Sequence, residues 1–273
     1  MRQIWMSRGL GLLAAGAVLV ACSTPPGSPP VSTPVTEGKD RITASDQPES
    51  SRRANVRLQL ASAYFADGQL TTALDEVKQA ITADPKMAEA FNLRGLIYAG
   101  LGDNGMAEDS FKRALQLSPR DGDAMHNYGW FLCMQKRYAD ATAQFQQALA
   151  QPQYRDATRT MLAQGVCEAR AGQLAEAERT LQRAFALDAS SPVIALNLSE
   201  VLYQRGEYER ARFYIRRVNA SPQQSTAQTL WLAARIEQHA GNARAAREIG
   251  QELVSRFPKS REASAFQQGQ FDE

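Results

Sequence analysis

The chain has 273 residues, of which 44% are hydrophobic and 22% are charged, and its formal net charge at pH 7 is +2. This composition is ordinary for a soluble protein that forms a core. Removing residues 1–21 takes away two arginines and leaves 29 basic and 29 acidic side chains. The charge therefore predicts neither a nucleic acid nor another polyanion as a partner.

Residues 1–21 have the organisation of a bacterial signal peptide. Arg2 and Arg8 form a basic region, and the apolar run that follows, Gly9–Val20, has twelve residues. A run of this length is too short to span about 30 Å of hydrocarbon, which favours a signal peptide over a transmembrane helix.

The signal sequence ends at a cysteine. The four residues Leu19-Val20-Ala21-Cys22 resemble the lipobox of bacterial lipoproteins. In that class the signal is cut before the cysteine, which then carries covalent lipid, so we predict a lipidated Cys22. A plain signal peptide with a chance cysteine is the alternative. Ser23 is a residue that usually permits sorting to the outer membrane in a Gram-negative cell.

Residues 22–53 have the composition of a linker. Six of the chain's twelve prolines lie between residues 23 and 50, together with many Ser, Thr and Gly residues. Such a segment cannot bury enough apolar surface to fold. We expect a flexible tether with a reach of roughly 30 Å that joins the lipidated Cys22 to the body of the protein.

The body of the chain is a repeat array. The stretch "AFNLRGLIYAGLGDNGMAEDSFKRALQLSP" (Ala90–Pro119) matches the 34-residue tetratricopeptide pattern. Sliding that frame along the chain finds six copies, over residues 54–87, 88–121, 122–157, 158–191, 192–226 and 227–260.

Two positions of this frame hold small residues in every copy, as expected where two helices pack closely. Position 8 is occupied by Ala61, Gly95, Gly129, Gly165, Ser199 and Ala234. Position 20 is occupied by Ala73, Ala107, Ala141, Ala177, Ala211 and Ala246. Large apolar residues around them follow the i, i+3, i+4, i+7 spacing of helical faces.

The pattern predicts an all-α tetratricopeptide-repeat solenoid of six helix-turn-helix repeats. In that class the repeats stack into a right-handed superhelix, and the first helix of each repeat lines a concave groove. Residues 261–273 are predicted to add a short polar cap or a frayed tail. An irregular helical bundle is the alternative.

No motif in the sequence predicts catalysis. His126 and His239 are the only histidines and lie in different repeats, and no zinc-protease, phosphate-binding or nucleophile-elbow motif is present. The sequence therefore predicts no catalytic residue, no metal site, and no cofactor beyond the covalent lipid on Cys22.

The two remaining cysteines, Cys133 and Cys167, are one repeat length apart. Both lie on first helices of adjacent repeats, so their sulfurs can be neighbours, and the periplasm permits disulfides. We predict a disulfide that joins repeats three and four. Two buried free thiols are the alternative.

The groove positions of the class are 2, 5, 9, 12 and 13 of the first helix. Among the residues that they select in repeats one to three are the candidate partner-binding residues Leu58, Phe65, Asn92, Leu96, His126 and Trp130. In repeats four to six they select Leu162, Arg170, Glu200, Tyr203, Trp231 and Arg235. Aromatic anchors mixed with amides suit a bound peptide, although the leucines can equally pack against neighbouring helices.

The stretches "HNYGWFLCMQKRYADATAQFQQAL" (His126–Leu149) and "GVCEARAGQLAEAERTLQRAF" (Gly165–Phe185) resemble the PilW (PilF) family of type IV pilus biogenesis and stability proteins. Members of that family are outer-membrane lipoproteins of the pilotin type. The resemblance implies a periplasm-facing adaptor that binds the pilus secretin and promotes its outer-membrane localisation and multimerisation, hence pilus biogenesis and twitching motility. It implies no nucleic-acid partner and no small-molecule substrate.

A second function is left open by the sequence. A tetratricopeptide-repeat lipoprotein of the same fold can instead be a scaffold for another envelope assembly, such as cell-wall enzymes or outer-membrane protein insertion.

Overall fold

A computed structural model describes residues 48–271 of the chain. This part contains thirteen α-helices and no strand, which confirms the predicted all-α class. The helices are α1 (Glu49–Ala66), α2 (Leu70–Ala83), α3 (Ala88–Leu101), α4 (Asn104–Leu117), α5 (Gly122–Met134), α6 (Tyr138–Leu149), α7 (Ala157–Arg170), α8 (Leu174–Leu187), α9 (Pro192–Gln204), α10 (Tyr208–Asn219), α11 (Ala227–His239), α12 (Ala243–Arg256) and α13 (Arg261–Gln267). Within this range no helix has the length and apolarity needed to cross a bilayer.

The helices form consecutive antiparallel pairs, α1 with α2 through α11 with α12. The first helices of neighbouring pairs also contact one another, in the series α1, α3, α5, α7, α9 and α11, whereas no contact of similar extent joins two second helices of the described chain. Because the first helices form the more closely spaced row, they line the inner face of the solenoid.

Small residues allow each pair of helices to pack closely. The six alanines at position 20 are fully buried. Opposite them, an added methyl group on Gly95 would lie 2.7 Å from the ring of Phe111, and one on Gly165 would lie 2.6 Å from Leu181. A larger residue at position 8 would therefore separate the two helices of the repeat.

Buried or partly buried ion pairs join successive repeats. Arg137 of α6's N-cap donates to Glu108 of α4 at 2.9 Å. Burial raises the pKa of Glu108, but hydrogen bonds from Arg137, Lys112 and Tyr128 outweigh it and hold the pKa at about 2. Further along, Glu178 of α8 pairs with two arginines of repeat five.

A similar ion pair joins repeats five and six. Glu237 of α11 is 3% exposed, and its two carboxylate oxygens lie 2.8 Å from Arg212 and 3.0 Å from Arg216, both on α10. Asn242 donates to the same carboxylate at 3.0 Å. The charge of Glu237 is thus fully enclosed by its partners.

The first helix begins earlier than the sequence frame predicts. The composition predicts residues 49–53 as the end of the linker, but in the structure they form the first turn of α1. Pro48 precedes the helix, where its missing N–H costs nothing, and Glu49 places a negative charge at the positive end of the helix dipole. No described repeat covers the outer side of α1, where Val56 and Leu60 are 56% and 40% exposed.

Residues 261–271 close the other end of the array. Helix α13 packs on both α11 and α12, and its Phe266 lies so close to Gly250 that a methyl group there would approach the ring to 2.0 Å. After α13 the chain turns back, and the ring of Phe271 packs 5.2 Å from that of Trp231. The segment therefore covers the apolar stripe that repeat six would otherwise expose.

Candidate functional site

The inner face of repeats one to three carries five of the six predicted partner-binding residues as half-buried side chains. Leu58 and Phe65 pack against the core of repeats one and two, and Leu96 and Trp130 pack against the core of repeats two and three. Asn92 accepts a hydrogen bond from Asn127 at 3.2 Å. All five are part of the solenoid's own packing and present only part of their surface.

His126 departs from the prediction that it contacts a partner. Its side chain is only 6% exposed, and its Nδ1 lies 2.8 Å from Oγ1 of Thr160 on the next repeat. The same hydroxyl lies 2.6 Å from Oη of Tyr154. His126 is therefore not an exposed groove residue: its side chain packs at the junction between repeats three and four and stabilises it.

The connection between α6 and α7 brings Tyr154 to the hydroxyl that His126 contacts. Seven residues, 150–156, join α6 to α7, whereas four residues, 118–121, join α4 to α5. The longer connection lays Tyr154 over Gly122, where a methyl group would lie 2.4 Å from the ring. An open cleft of about 580 Å³ lies beside this connection and is lined by Asp123 and the loop.

Burial of His126 predicts a pH dependence of stability. Desolvation, followed by the charge of Arg159, lowers the pKa of His126 from 6.5 to about 4. Between pH 6.5 and pH 4 the unfolded chain binds a proton at His126 that the folded chain does not bind. The free energy of unfolding is therefore unaffected by this group above pH 6.5 and decreases as the pH falls toward 4. We expect urea unfolding to show a greater loss of stability between pH 7 and pH 5 for the native chain than for His126→Gln. Equal losses would contradict the assignment.

Cys133 and Cys167 are joined in a disulfide whose Cα atoms are 5.8 Å apart. It links α5 to α7, and both residues are buried. On the inner face next to it, the guanidinium of Arg170 lies 5.3 Å from the ring of Trp130 and donates to the sulfur of Met134. The covalent link thus fixes two repeats whose inner-face side chains touch.

Two clefts of the inner face lie over repeats four to six. One cleft, of about 300 Å³, separates α7 from α9, and a second, of about 370 Å³, is enclosed by α9, α11 and α13. Glu200 lines both clefts, which therefore adjoin. The groove positions of the frame predict Glu200 and Arg235 on this face. Gln204 and Gln228 also line it and occupy groove positions 13 and 2 of the same frame.

The described residues contain no group of three His, Cys, Asp or Glu side chains placed to hold a metal ion. The geometry of the inner face is that of a surface for macromolecules: half-buried apolar side chains in repeats one to three, then clefts rimmed by charges and amides.

Comparison with known proteins gives consistent matches. Models of the tetratricopeptide repeat match residues 58–122, 110–143, 135–192 and 168–231. Type IV pilus assembly protein PilF of Pseudomonas aeruginosa is 25% identical over 233 residues, which cover 85% of this chain and 92% of that protein.

Two solved structures extend the likeness. The crystal structure of PilW, a widely conserved type IV pilus biogenesis factor, matches with a TM-score of 0.73 and 32% identity over 78% of this chain and 97% of its own. The structure of Pseudomonas aeruginosa PilF matches with a TM-score of 0.70 and 24% identity over 81% of this chain and the whole of its own, which shows the shared fold.

Proposed function

The chain belongs to the tetratricopeptide-repeat family of type IV pilus biogenesis factors that includes PilW and PilF, and from this premise we propose that it is a pilotin-type adaptor. In this role it is anchored to the outer membrane, faces the periplasm, binds the type IV pilus secretin, and promotes its localisation and multimerisation. The observation that carries the proposal is the extent of the match, which covers 97% of PilW rather than a single repeat.

The anchor in this proposal is the predicted lipid on Cys22, which lies outside the described residues. One acyl chain holds a protein only marginally, whereas several chains hold it firmly. A tethered adaptor keeps its client at the membrane and so raises the effective concentration of subunits that must assemble there.

The client surface in this proposal is the inner face. Its half-buried leucines and aromatic side chains, with Trp130 at the centre, offer apolar area that is already ordered by packing. Binding there costs little additional side-chain entropy. The activity proposed for this surface is binding alone.

The test compares three strains: native, deleted for the gene, and carrying Cys22→Ala. Membrane fractions are separated and blotted for heat-resistant secretin multimers. We expect the deletion to abolish the multimers. We expect Cys22→Ala, which removes the lipid but leaves the repeats, to leave secretin in the inner membrane.

The two mutant strains distinguish the pilotin function from the alternative scaffold function. If multimers form and localise normally in both mutant strains, the pilotin function is wrong. A scaffold for another envelope assembly then becomes the better explanation of the same fold. As a control, the Cys22→Ala protein is blotted, and its abundance must equal that of the native protein, so that proteolysis does not explain the phenotype.

A further inference from the structure

The two halves of the inner face differ in their chemistry. In repeats one to three the groove side chains are mainly apolar and pack against the core. In repeats four to six two adjoining clefts form a trough, which we call the C-terminal trough. Its lining includes Arg170, Glu200 and Gln204 in one cleft, and Leu196, Gln228 and Trp231 in the other.

The floor of the trough is apolar and its rim is polar. Leu196, Trp231 and Leu232 provide the floor of the cleft beside α13. On the rim, Glu200, Gln204, Gln228 and Arg261 are exposed, and none of them makes a side-chain hydrogen bond or ion pair with another described residue. The trough thus offers both donors and acceptors that no other described side chain or backbone group uses.

Two side chains of the trough, Arg235 and Trp231, already contact another segment of the chain. Arg235 donates from Nε to the backbone carbonyl of Phe271 at 3.0 Å, while Trp231 packs on the ring of the same residue. The guanidinium of Arg235 also lies 4.7 Å from the ring of Tyr203, which holds it in place. One arginine and one tryptophan of the inner face therefore recognise a backbone carbonyl and an aromatic side chain together.

The unused groups of the rim favour an extended occupant over a helix. A helix satisfies its own backbone groups, so it would bury Glu200 and the two glutamines without partners, which costs free energy. An extended segment has free N–H groups for the carboxylate of Glu200 and free carbonyls for Arg170 and Arg261, and it can place a side chain on the apolar floor.

We propose that the C-terminal trough binds an extended segment of the client secretin that carries an aromatic residue, as a contact separate from repeats one to three. The inference rests on the proposed function for the identity of the client. The aromatic side chain packs beside Phe271, on Leu196 and on the edges of Trp231 and Leu232 that line the cleft, and the backbone is held by the amides, Glu200 and the arginines. The adaptor would thus hold its client at two points.

The experiment places a photo-crosslinking amino acid in the full-length protein in cells, at Gln204, at Gln228 or at Leu96. Adducts are blotted for secretin, and the crosslinked secretin peptide is identified by mass spectrometry. Each crosslinking position is tested again in the Glu200→Lys background and in the matched control background Asp75→Lys. The control makes the same charge change at an exposed position of helix α2.

We expect secretin adducts from positions 204 and 228, on a peptide that contains an aromatic residue. Glu200→Lys should reduce these adducts about tenfold, equivalent to about 1.4 kcal/mol, and Asp75→Lys should leave them unchanged. Adducts from Leu96 only, adducts insensitive to Glu200→Lys, or a peptide without an aromatic residue would each overturn the inference while leaving the adaptor role intact. Failure of the adaptor role itself is seen separately, as normal multimers in the deletion strain.

Discussion

Replacing Glu237 with alanine is expected to lower the free energy of unfolding by about 3–5 kcal/mol. The carboxylate of Glu237 is 3% exposed and neutralises Arg212, whose side chain is 14% exposed, across the junction of repeats five and six. Without it, a guanidinium remains in a site that water barely reaches. Urea unfolding followed by circular dichroism measures the change.

The control for this variant is Glu209→Ala. Glu209 also pairs with Arg212, but its side chain is 74% exposed, and exposed ion pairs contribute only about 0.2–1 kcal/mol. The interpretation requires a loss for Glu237→Ala several times that for Glu209→Ala. Equal losses would show that the buried pair carries no special weight at this junction.

Removing the disulfide with Cys133→Ala and Cys167→Ala together is expected to cost about 3–4 kcal/mol, since the bond closes a loop with a sequence separation of 34 residues. Alanine is chosen because both sites are buried and a serine hydroxyl would lack a partner there. The physical reason is that the unfolded chain regains the freedom that the bond had removed.

Dithiothreitol provides an internal check on this value. Reducing the native protein should lower its stability to nearly that of the double variant, and the reductant should not affect the double variant at all. A native protein whose unfolding is the same with and without reductant would contradict the expected contribution of the bond.

The repeat frame could be predicted from the sequence because its physical cause is local. Small residues at positions 8 and 20 let two short helices pack closely, and both recur in the sequence at fixed spacing. In the structure, a methyl group on Gly129 or Gly165 would lie 3.2 Å or 3.4 Å from the backbone carbonyl of the position-20 alanine of the same repeat.

The burial of His126 could not be predicted in the same way. Its position in the frame places it on the inner face, but its side chain contacts Thr160 of the next repeat, whose hydroxyl also contacts Tyr154 of the connection. The 36-residue spacing of the third copy shows that residues are added. It does not show that they fold back over Gly122 and reach the partner of the histidine.

Only some of the residues of the C-terminal trough could be predicted from the sequence, for a related reason. The frame identified which residues face the groove, such as Glu200 and Arg235, but the depth between two repeats depends on side chains from α7, α9, α11 and α13 together. Helix α13 lies outside the repeat frame, so the repeat period could not predict the residues that it adds to the rim.

The way α13 closes the array limits how such a protein can change its length during evolution. Phe266 lies against Gly250, and Phe271 against Trp231, so the last complete repeat is tailored to the segment that follows it. A copy of repeat six added at this end would have to recreate both fits at once. Duplication or loss of repeats is therefore more readily accepted among the interior copies, where each repeat already fits neighbours of its own kind.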